Sequence, residues 1–397
     1  MERAGLENIL KTCAGVVRRG GVWFLTDPAW TADRRAEAEL RFALTDSLDR
    51  GGLGWLGIPT GGTGGAVRFA RHDEITLGAA VRGFQTHFGL SRVNAVDVLP
   101  AHHVSGLLAR VRSAFSGGEH LPWSWKRLEG GDRPALPPRA DGWVVSLVPT
   151  QLQRLLAVEG GAEWLRSFRM VFLGGGPVWP ALADAAATAR VPVALSYGMT
   201  ETAAMVTALR PEEFLAGARH SGRALPHARL SIAADGAISI AGGSLFRGYW
   251  PAWRAGEWFT TDDAGMLAAD GGLMVTGRRD AVVITGGKKV QPELVEAALR
   301  TALGGADVAV VGVPDPEWGE KLVACLPPTG GAPDPGMDFP ALAPHERPKS
   351  WITVDPWPVN AQGKVNRAAL REAARSYQDT RPAPPGGEPR LDITGRQ

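Results

Sequence analysis

Cysteine is nearly absent: the 397-residue chain has two, Cys13 and Cys325. They form no metal-ligand spacing and no disulfide framework, which points to a reducing compartment, the cytoplasm. No apolar run is long enough to cross a bilayer. The first 25 residues are broken by Arg18, Arg19 and Gly20 and read as neither signal peptide nor membrane span. Charge of one sign is lacking too. With 43 Lys and Arg against 41 Asp and Glu, the net charge is +2, so nothing recommends nucleic acid or a membrane surface as a partner. There is no internal repeat. There is no Walker loop either, because no Lys-Ser or Lys-Thr pair closes a Gly-rich turn.

What is present is a globular composition, 44% hydrophobic and 21% charged, long enough for two domains. The 51 Gly and 30 Pro imply many turns, and the 14 Trp are most simply packing residues. Short β-branched or aromatic runs alternate with Ala- and Leu-rich segments, which predicts layered α/β structure. Strands are expected over 53–58, 93–99, 143–148, 170–173 and 191–196. Asp73 has the chemistry of an N-cap for a helix to about Phe88, with Leu77, Val81, Phe84 and Phe88 on one face. A second helix is expected over 180–189.

From about Arg229, runs at 230–232, 237–240 and 272–275 with turn signals between them predict a β-rich subdomain. A strand at 282–284, a Gly286-Gly287 turn, a helix over 292–303 and a strand over 308–313 predict a small α+β unit. The expected fold class is thus α/β plus α+β. A large N-terminal domain of layered α/β sheets with a β-rich subdomain covers 1–279, and a small C-terminal α+β domain covers 280–376. Residues 327–348, rich in Pro and Gly, read as a loop, and 377–397 as a disordered tail.

Several short motifs carry chemistry. Thr60-Gly61-Gly62-Thr63-Gly64-Gly65 follows an expected strand. Its glycines let backbone N–H groups converge on phosphate oxygens, and Thr60 and Thr63 add hydroxyls; a plain Gly-rich turn explains it equally well. Gly174-Gly175-Gly176 stands at a strand end, where open α/β sheets bind ligands and bare backbone admits a flat ring. An ordinary strand-to-helix turn is the plainer account. Tyr197-Gly198-Met199-Thr200-Glu201 offers a ring to stack on a base, a hydroxyl for phosphate and a hard carboxylate for Mg²⁺. It also suits a helix N-terminus after a strand. His102 and His103 are adjacent, a pattern more often of core or surface than of metal ligation. Gly277-Arg278-Arg279-Asp280 reads as an exposed turn, and Gly363-Lys364 as a turn carrying a cation.

In this order, the motifs resemble the adenylate-forming superfamily of acyl-CoA synthetases, firefly luciferase and peptide-synthetase adenylation domains. The resemblance covers roughly residues 53–370. The stretch from Ile58 to His72 is most similar to the short bacterial o-succinylbenzoate–CoA ligases. This resemblance implies an enzyme that joins a small carboxylate to ATP, with Mg²⁺, and passes the acyl group to coenzyme A. It implies phosphate contacts from Thr60 to Gly65 and from Thr200, Mg²⁺ on Glu201 and adenine beside Gly174, Gly175, Gly176 and Tyr197. Asp263, in Trp258-Phe259-Thr260-Thr261-Asp262-Asp263, would bind both ribose hydroxyls, with Arg278 near the ribose or α-phosphate. His103, Ser105 and Gly106 would border the carboxylate pocket and thiol channel. Lys364 would act on the reacting carboxylate and α-phosphate, Asp280 would be the hinge of a mobile C-terminal domain, and Gly286 and Gly287 would line the pantetheine channel.

Two positions depart from the family pattern. Ala66 stands where the loop usually has Lys; if the segment is extended, Arg68 faces the same side and replaces that charge. Asp262 stands where the pattern has Gly, so the backbone turn there must tolerate a side chain. A ligase for another aryl or fatty carboxylate, and a degenerate nucleotide-binding relative without turnover, remain as alternatives.

Overall fold

The computed structural model describes residues 1–45, 51–60, 67–330, 333–334, 337–359 and 365–379. Among the described residues the strands form four sheets. The first runs β1 (Val16–Arg19), β2 (Val22–Leu25), β3 (Leu56–Thr60) and β4 (Arg68–His72), with only β2 and β3 parallel. The second holds β5 (Asn94–Asp97), β6 (His120–Pro122), β7 (Trp143–Leu147), β8 (Met170–Leu173), β9 (Val193–Met199), β10 (Ala204–Ala208) and β11 (Arg223–Ala224). Its order is β11-β10-β9-β8-β7-β5-β6, parallel from β9 to β6 and antiparallel beyond.

The third sheet is an antiparallel meander of β12 (Ala228–Ile232), β13 (Ala237–Gly242), β14 (Phe259–Leu267) and β15 (Leu273–Arg278). The fourth joins β16 (Val283–Thr285), β17 (Lys288–Val290), β18 (Ala309–Asp315), β19 (Gly319–Leu326) and β20 (Ser350–Thr353). The helices are α1 (Arg3–Lys11), α2 (Ala32–Phe42), α3 (Glu74–Phe88), α4 (Val104–Ser116), α5 (Trp125–Glu129), α6 (Pro149–Ala157), α7 (Gly161–Arg166), α8 (Pro180–Thr188), α9 (Pro211–Leu215), α10 (Pro292–Ala302) and α11 (Arg367–Asp379).

The parallel strands are apolar because both their faces are covered. Val145, Val171, Leu173, Val193 and Leu195 pack with Leu152, Leu155 and Leu182 of α6 and α8. The alternate residues Val144, Phe172 and Ala194 face Phe84 and Phe88 of α3. This is the two-residue period of a strand read on both sides.

Asp73 caps α3 as expected, its carboxylate accepting from the N–H groups of Ile75 and Thr76 at 3.1 and 3.0 Å. Such a cap is worth about 1 kcal/mol. The cap is buried, and the same carboxylate pairs with Arg247 at 2.8 Å.

The third sheet ends at Arg278, a 3-10 turn covers Arg279–Ala281, and the fourth sheet begins at Val283. Gln291 donates to the Arg278 carbonyl at 2.8 Å, Arg300 lies 5.2 Å over the Trp179 ring, and Gln153 donates to the Gly305 carbonyl at 2.7 Å. These contacts seat α10 and the turn after it against β15, α8 and α6. Residues 377–379, expected in the tail, continue α11, whose Leu370 and Ala374 are buried against the fourth sheet. Among the described residues, no helix is long and apolar enough to cross a membrane.

Candidate active site

The strongest motif occupies a strained hairpin. Tyr197 and Gly198 lie in β9, Thr200 to Thr202 form a single 3-10 turn, and the chain returns antiparallel as β10. The helix N-terminus that this sequence also allowed is therefore not formed. Ala203 and Ala204 take φ of +51° and +73°, the left-handed region, at about 1–2 kcal/mol each. Gly198 is required: a Cβ there would lie 2.0 Å from the Ala204 carbonyl oxygen.

Four bonds offset this strain. Met199 N–H donates to Thr202 Oγ1 at 3.0 Å, and that hydroxyl donates to the Ala204 carbonyl at 2.6 Å. Phe246 N–H donates to the Glu201 carbonyl at 2.8 Å. His72 Nε2 sits 2.8 Å from the Thr200 carbonyl.

The turn presents Glu201 at 7% exposure. The Tyr249 hydroxyl donates to its Oε1 at 2.7 Å, and its other oxygen is bonded to no described residue. Burial first, then the Glu201 charge, raises the Tyr249 pKa, which keeps the phenol a donor. The Arg68 guanidinium lies 4.4 Å over the Tyr249 ring. Arg68 is also the register partner of Thr60, whose buried Oγ1 has no hydrogen-bond partner among the described residues. Thr60, Arg68, Tyr249 and Glu201 thus gather where the chain enters and leaves residues 61–66. Gly61, Gly62, Thr63, Gly64, Gly65 and Ala66 lie outside the described residues.

A second cluster joins two sheets. The Tyr197 hydroxyl donates to Asp263 Oδ2 at 2.8 Å, and its ring packs on the core of Val206, Ile238 and Ile240. Burial and the Asp263 charge raise the Tyr197 pKa, so the phenol stays protonated. Asp263 on β14 is the register partner of Arg278 on β15, with 3.7 Å between carboxylate and guanidinium. Arg278 also forks onto Asp280, Nε to Oδ1 at 2.7 Å and Nη2 to Oδ2 at 2.6 Å. That pair raises the Arg278 pKa and lowers that of Asp280. Asp262 lies in strand β14, exposed, rather than in a turn. Among the described residues the non-glycine positions with positive φ are Arg190, Ala203 and Ala204, so no backbone strain marks Asp262.

The remaining expected residues are spread along the carboxyl ends of the parallel strands. Gly174, Gly175 and Gly176 end β8 beside β9, and a Cβ on Gly174 would meet Ser196 Oγ at 2.9 Å. His103 is the N-cap residue of α4, with Ser105 in its first turn. Gly106 serves packing: a Cβ would lie 2.4 Å from the Pro100 carbonyl oxygen, so the helix needs glycine to sit on its own preceding loop. His102 is buried, 3.5 Å from Asp27, as an ordinary core histidine. A cavity of 340 Å³ opens beside this loop, walled by Leu99, Pro100, Arg110, Trp123 and Trp125.

Gly286 and Gly287 form the β16–β17 turn, with φ of +54° and +73°, the first against the Trp318 ring. Lys364 lies outside the described residues. Its flanks are closed by a Val359–Val365 bridge and by Asn366 N–H donating to the Pro358 carbonyl at 2.7 Å. Beyond them, Arg367 forks onto the buried Glu296 of α10 at 2.6 and 2.9 Å.

Among the described residues, no group of three or more His, Cys, Asp or Glu is placed to hold a metal. Glu201 alone is the donor set expected for a Mg²⁺ that arrives on phosphates and keeps its waters.

The AMP-binding enzyme family model matches residues 59–250. A probable 2-succinylbenzoate–CoA ligase of Mycobacterium tuberculosis is 32% identical over 344 residues, 79% of this chain and 83% of that protein. The chain belongs to the AMP-binding enzyme family. The 2-succinylbenzoate–CoA ligase of Listeria monocytogenes is 32% identical over 290 residues, 69% of this chain; the match spans 60% of that relative's length.

Among solved structures, the o-succinylbenzoate CoA synthetase of Bacillus subtilis in complex with its acyl-adenylate intermediate superposes with a TM-score of 0.68. It is 25% identical, with 80% of this chain and 69% of that one covered. ATP-bound MatB of Rhodopseudomonas palustris gives a TM-score of 0.69 at 25% identity, covering 84% and 71%. In this chain the sequence alone did not point to the residues that hold the site from behind: His72, Thr202, Tyr249 and Arg247. Tyr249 is one of three tyrosines in the chain, which is the one signal that marked it.

Proposed function

We propose that this chain is an AMP-forming acid–thiol ligase that adenylates o-succinylbenzoate with ATP and transfers the acyl group to coenzyme A, a step of menaquinone synthesis in the cytoplasm. The observation that carries the reading is the 32% identity with the probable ligase of Mycobacterium tuberculosis over 83% of its length. The two clusters around Glu201 and Asp263 support it, because they offer a nucleotide complementary groups at both ends. Asp263, held by Tyr197, accepts from ribose hydroxyls. Thr60, Arg68 and Thr200 receive the phosphates beside the Gly-rich segment. Glu201 would hold Mg²⁺, which neutralises phosphate charge when bound.

In the first step a substrate carboxylate oxygen attacks the α-phosphorus of ATP, and the bond to the β-phosphate oxygen breaks, releasing pyrophosphate. Lys364 stabilises the charge that develops there. In the second step the coenzyme A thiol, losing its proton, attacks the acyl carbon of the adenylate, and AMP leaves. His103 borders that junction. We assign the domains to residues 1–279 and 280–376, with rotation about Asp280 exchanging Lys364 for the Gly286-Gly287 turn. The cavity beside α4, with two indoles and an Arg110 that pairs with the lining Asp97 at 3.3 Å, suits an aromatic acid.

A ligase for another small carboxylate is the second reading, favoured by the equally good superposition on MatB. The test is mass spectrometry of one reaction containing the protein, MgATP, coenzyme A and a pool of carboxylates. Succinylbenzoyl-CoA with AMP supports the first reading. A different acyl-CoA supports the second. No AMP from any carboxylate leaves a nucleotide binder without turnover and refutes both.

A further inference from the structure

Arg112 is a buried cation with no counter-charge among the described residues. It lies on the face of α4 turned to the second sheet, with 4% of its surface exposed. Its guanidinium carbon sits 4.1 Å over the Phe84 ring. Its Nε and Nη2 have no hydrogen-bond partner among the described residues, and it takes part in no described ion pair. Other arginines that reach buried ground are matched: Arg247 meets Asp73, and Arg367 meets Glu296. Burial alone lowers the Arg112 pKa, to about 9, so the group is still charged at neutral pH.

Arg112 lines a cavity with Phe84, Val144, Ser146 and Phe172 that has about 10 Å³ of free volume, room for one water-sized particle. His227 lies near enough to feel the guanidinium. Neither ring nitrogen makes a close hydrogen bond among the described residues, although the Met205 backbone lies near enough to pull its pKa up. Burial, then repulsion from Arg112, lowers its pKa to about 4. It is therefore neutral and carries one N–H that adds no charge.

We propose that the Arg112 cavity binds a small monovalent anion, with chloride the natural occupant. A water molecule would satisfy the N–H groups but leave the charge uncompensated, and a buried charge persists when it is paired. The Phe84 face offsets only part of that charge. The size of the cavity excludes phosphate, carboxylates and nucleotides. The bound ion would tie α4, which carries His103 at its N-cap, to α3 and the central sheet.

Two measurements test this on the full chain. Crystals grown in gluconate and soaked in bromide should show an anomalous peak within hydrogen-bond reach of Arg112 Nε and Nη2. At constant ionic strength, replacing gluconate with chloride should raise the thermal midpoint with the logarithm of chloride concentration. Arg112→Met should flatten that dependence. No bromide peak at Arg112, or a wild-type midpoint blind to the anion, overturns the proposal and leaves the guanidinium hydrated by water. If Arg112→Met does not fold, the bromide map and the wild-type series still decide.

Discussion

Acidification should weaken this fold through one buried histidine, and the size of the loss follows from its surroundings. His72 is fully buried, with Nε2 2.8 Å from the Thr200 carbonyl and Nδ1 3.0 Å from Thr76 Oγ1. A carbonyl only accepts, so Nε2 carries the hydrogen and Nδ1 faces the Thr76 hydroxyl. Burial lowers the pKa from 6.5 to about 4, against the smaller upward pulls of the Thr200 bond and Asp73. Because the folded value is the lower one, the unfolded chain takes up the proton first. The contribution is whole above pH 6.5, falls between pH 6.5 and 4, and is constant below.

The full loss is about 2.5 pH units at about 1.4 kcal/mol each, roughly 3.4 kcal/mol, of which about 2 kcal/mol is gone by pH 5. Urea denaturation of the wild type and of His72→Gln, each at pH 7.5 and 5.0, isolates the effect. His227 has the same direction of shift but is present in both proteins and cancels. The wild type should lose about 2 kcal/mol more than the variant between the two pH values. An equal loss in both proteins would refute the assignment of that proton to His72.

Four further outcomes are expected. Lys364→Ala should slow adenylate formation by about 10²–10³-fold while sparing thioester formation from supplied acyl-adenylate; equal loss in both half-reactions sinks the domain-alternation account. Tyr197→Phe removes the donor to Asp263 and should raise the KM for ATP by about tenfold, the worth of one hydrogen bond to a charged group, with kcat little changed. Arg68→Ala should likewise raise the KM for ATP, and an unchanged ATP dependence would show that Arg68 does not replace the loop lysine. Arg367→Met removes the closest partner of the buried Glu296, leaving it Arg300 at 3.9 Å and the Val310 N–H, and should cost about 3 kcal/mol, read as a lower thermal midpoint; adding Glu296→Leu should recover part of it.

The fold was legible wherever one period dominated. Strands expected at 143–148 and 170–173 are observed as β7 and β8, and the helix capped by Asp73 as α3. These segments bury a whole face, so pattern and packing agree. Strand β14 carried no such signal. Its sequence, Phe259 to Leu267, has Thr260, Thr261, Asp262 and Asp263 in the middle, and only its ladders to β13 and β15 make it extended. Propensity gives no warning of this, because strand pairing is a tertiary fact. Helix α4 was not anticipated either, although Gly117 closes it in the left-handed conformation.

The candidate site was marked in the sequence by its outer groups and not by what holds them. Thr200, Glu201 and Asp263 are named by motif alone. Nothing local says that His72, 128 residues away from Thr200, anchors its carbonyl, or that Tyr249 clamps Glu201. Yet that second layer is what the strained turn requires. Two alanines in left-handed backbone cost a few kcal/mol together. They persist because Thr202, Phe246 and His72 bond the turn from three sides. The reasoning has a physical direction. A relaxed turn would let Glu201 follow its own rotamers, whereas one held from three sides fixes the carboxylate in advance, so that under the proposed function less ordering remains to be done when a nucleotide binds.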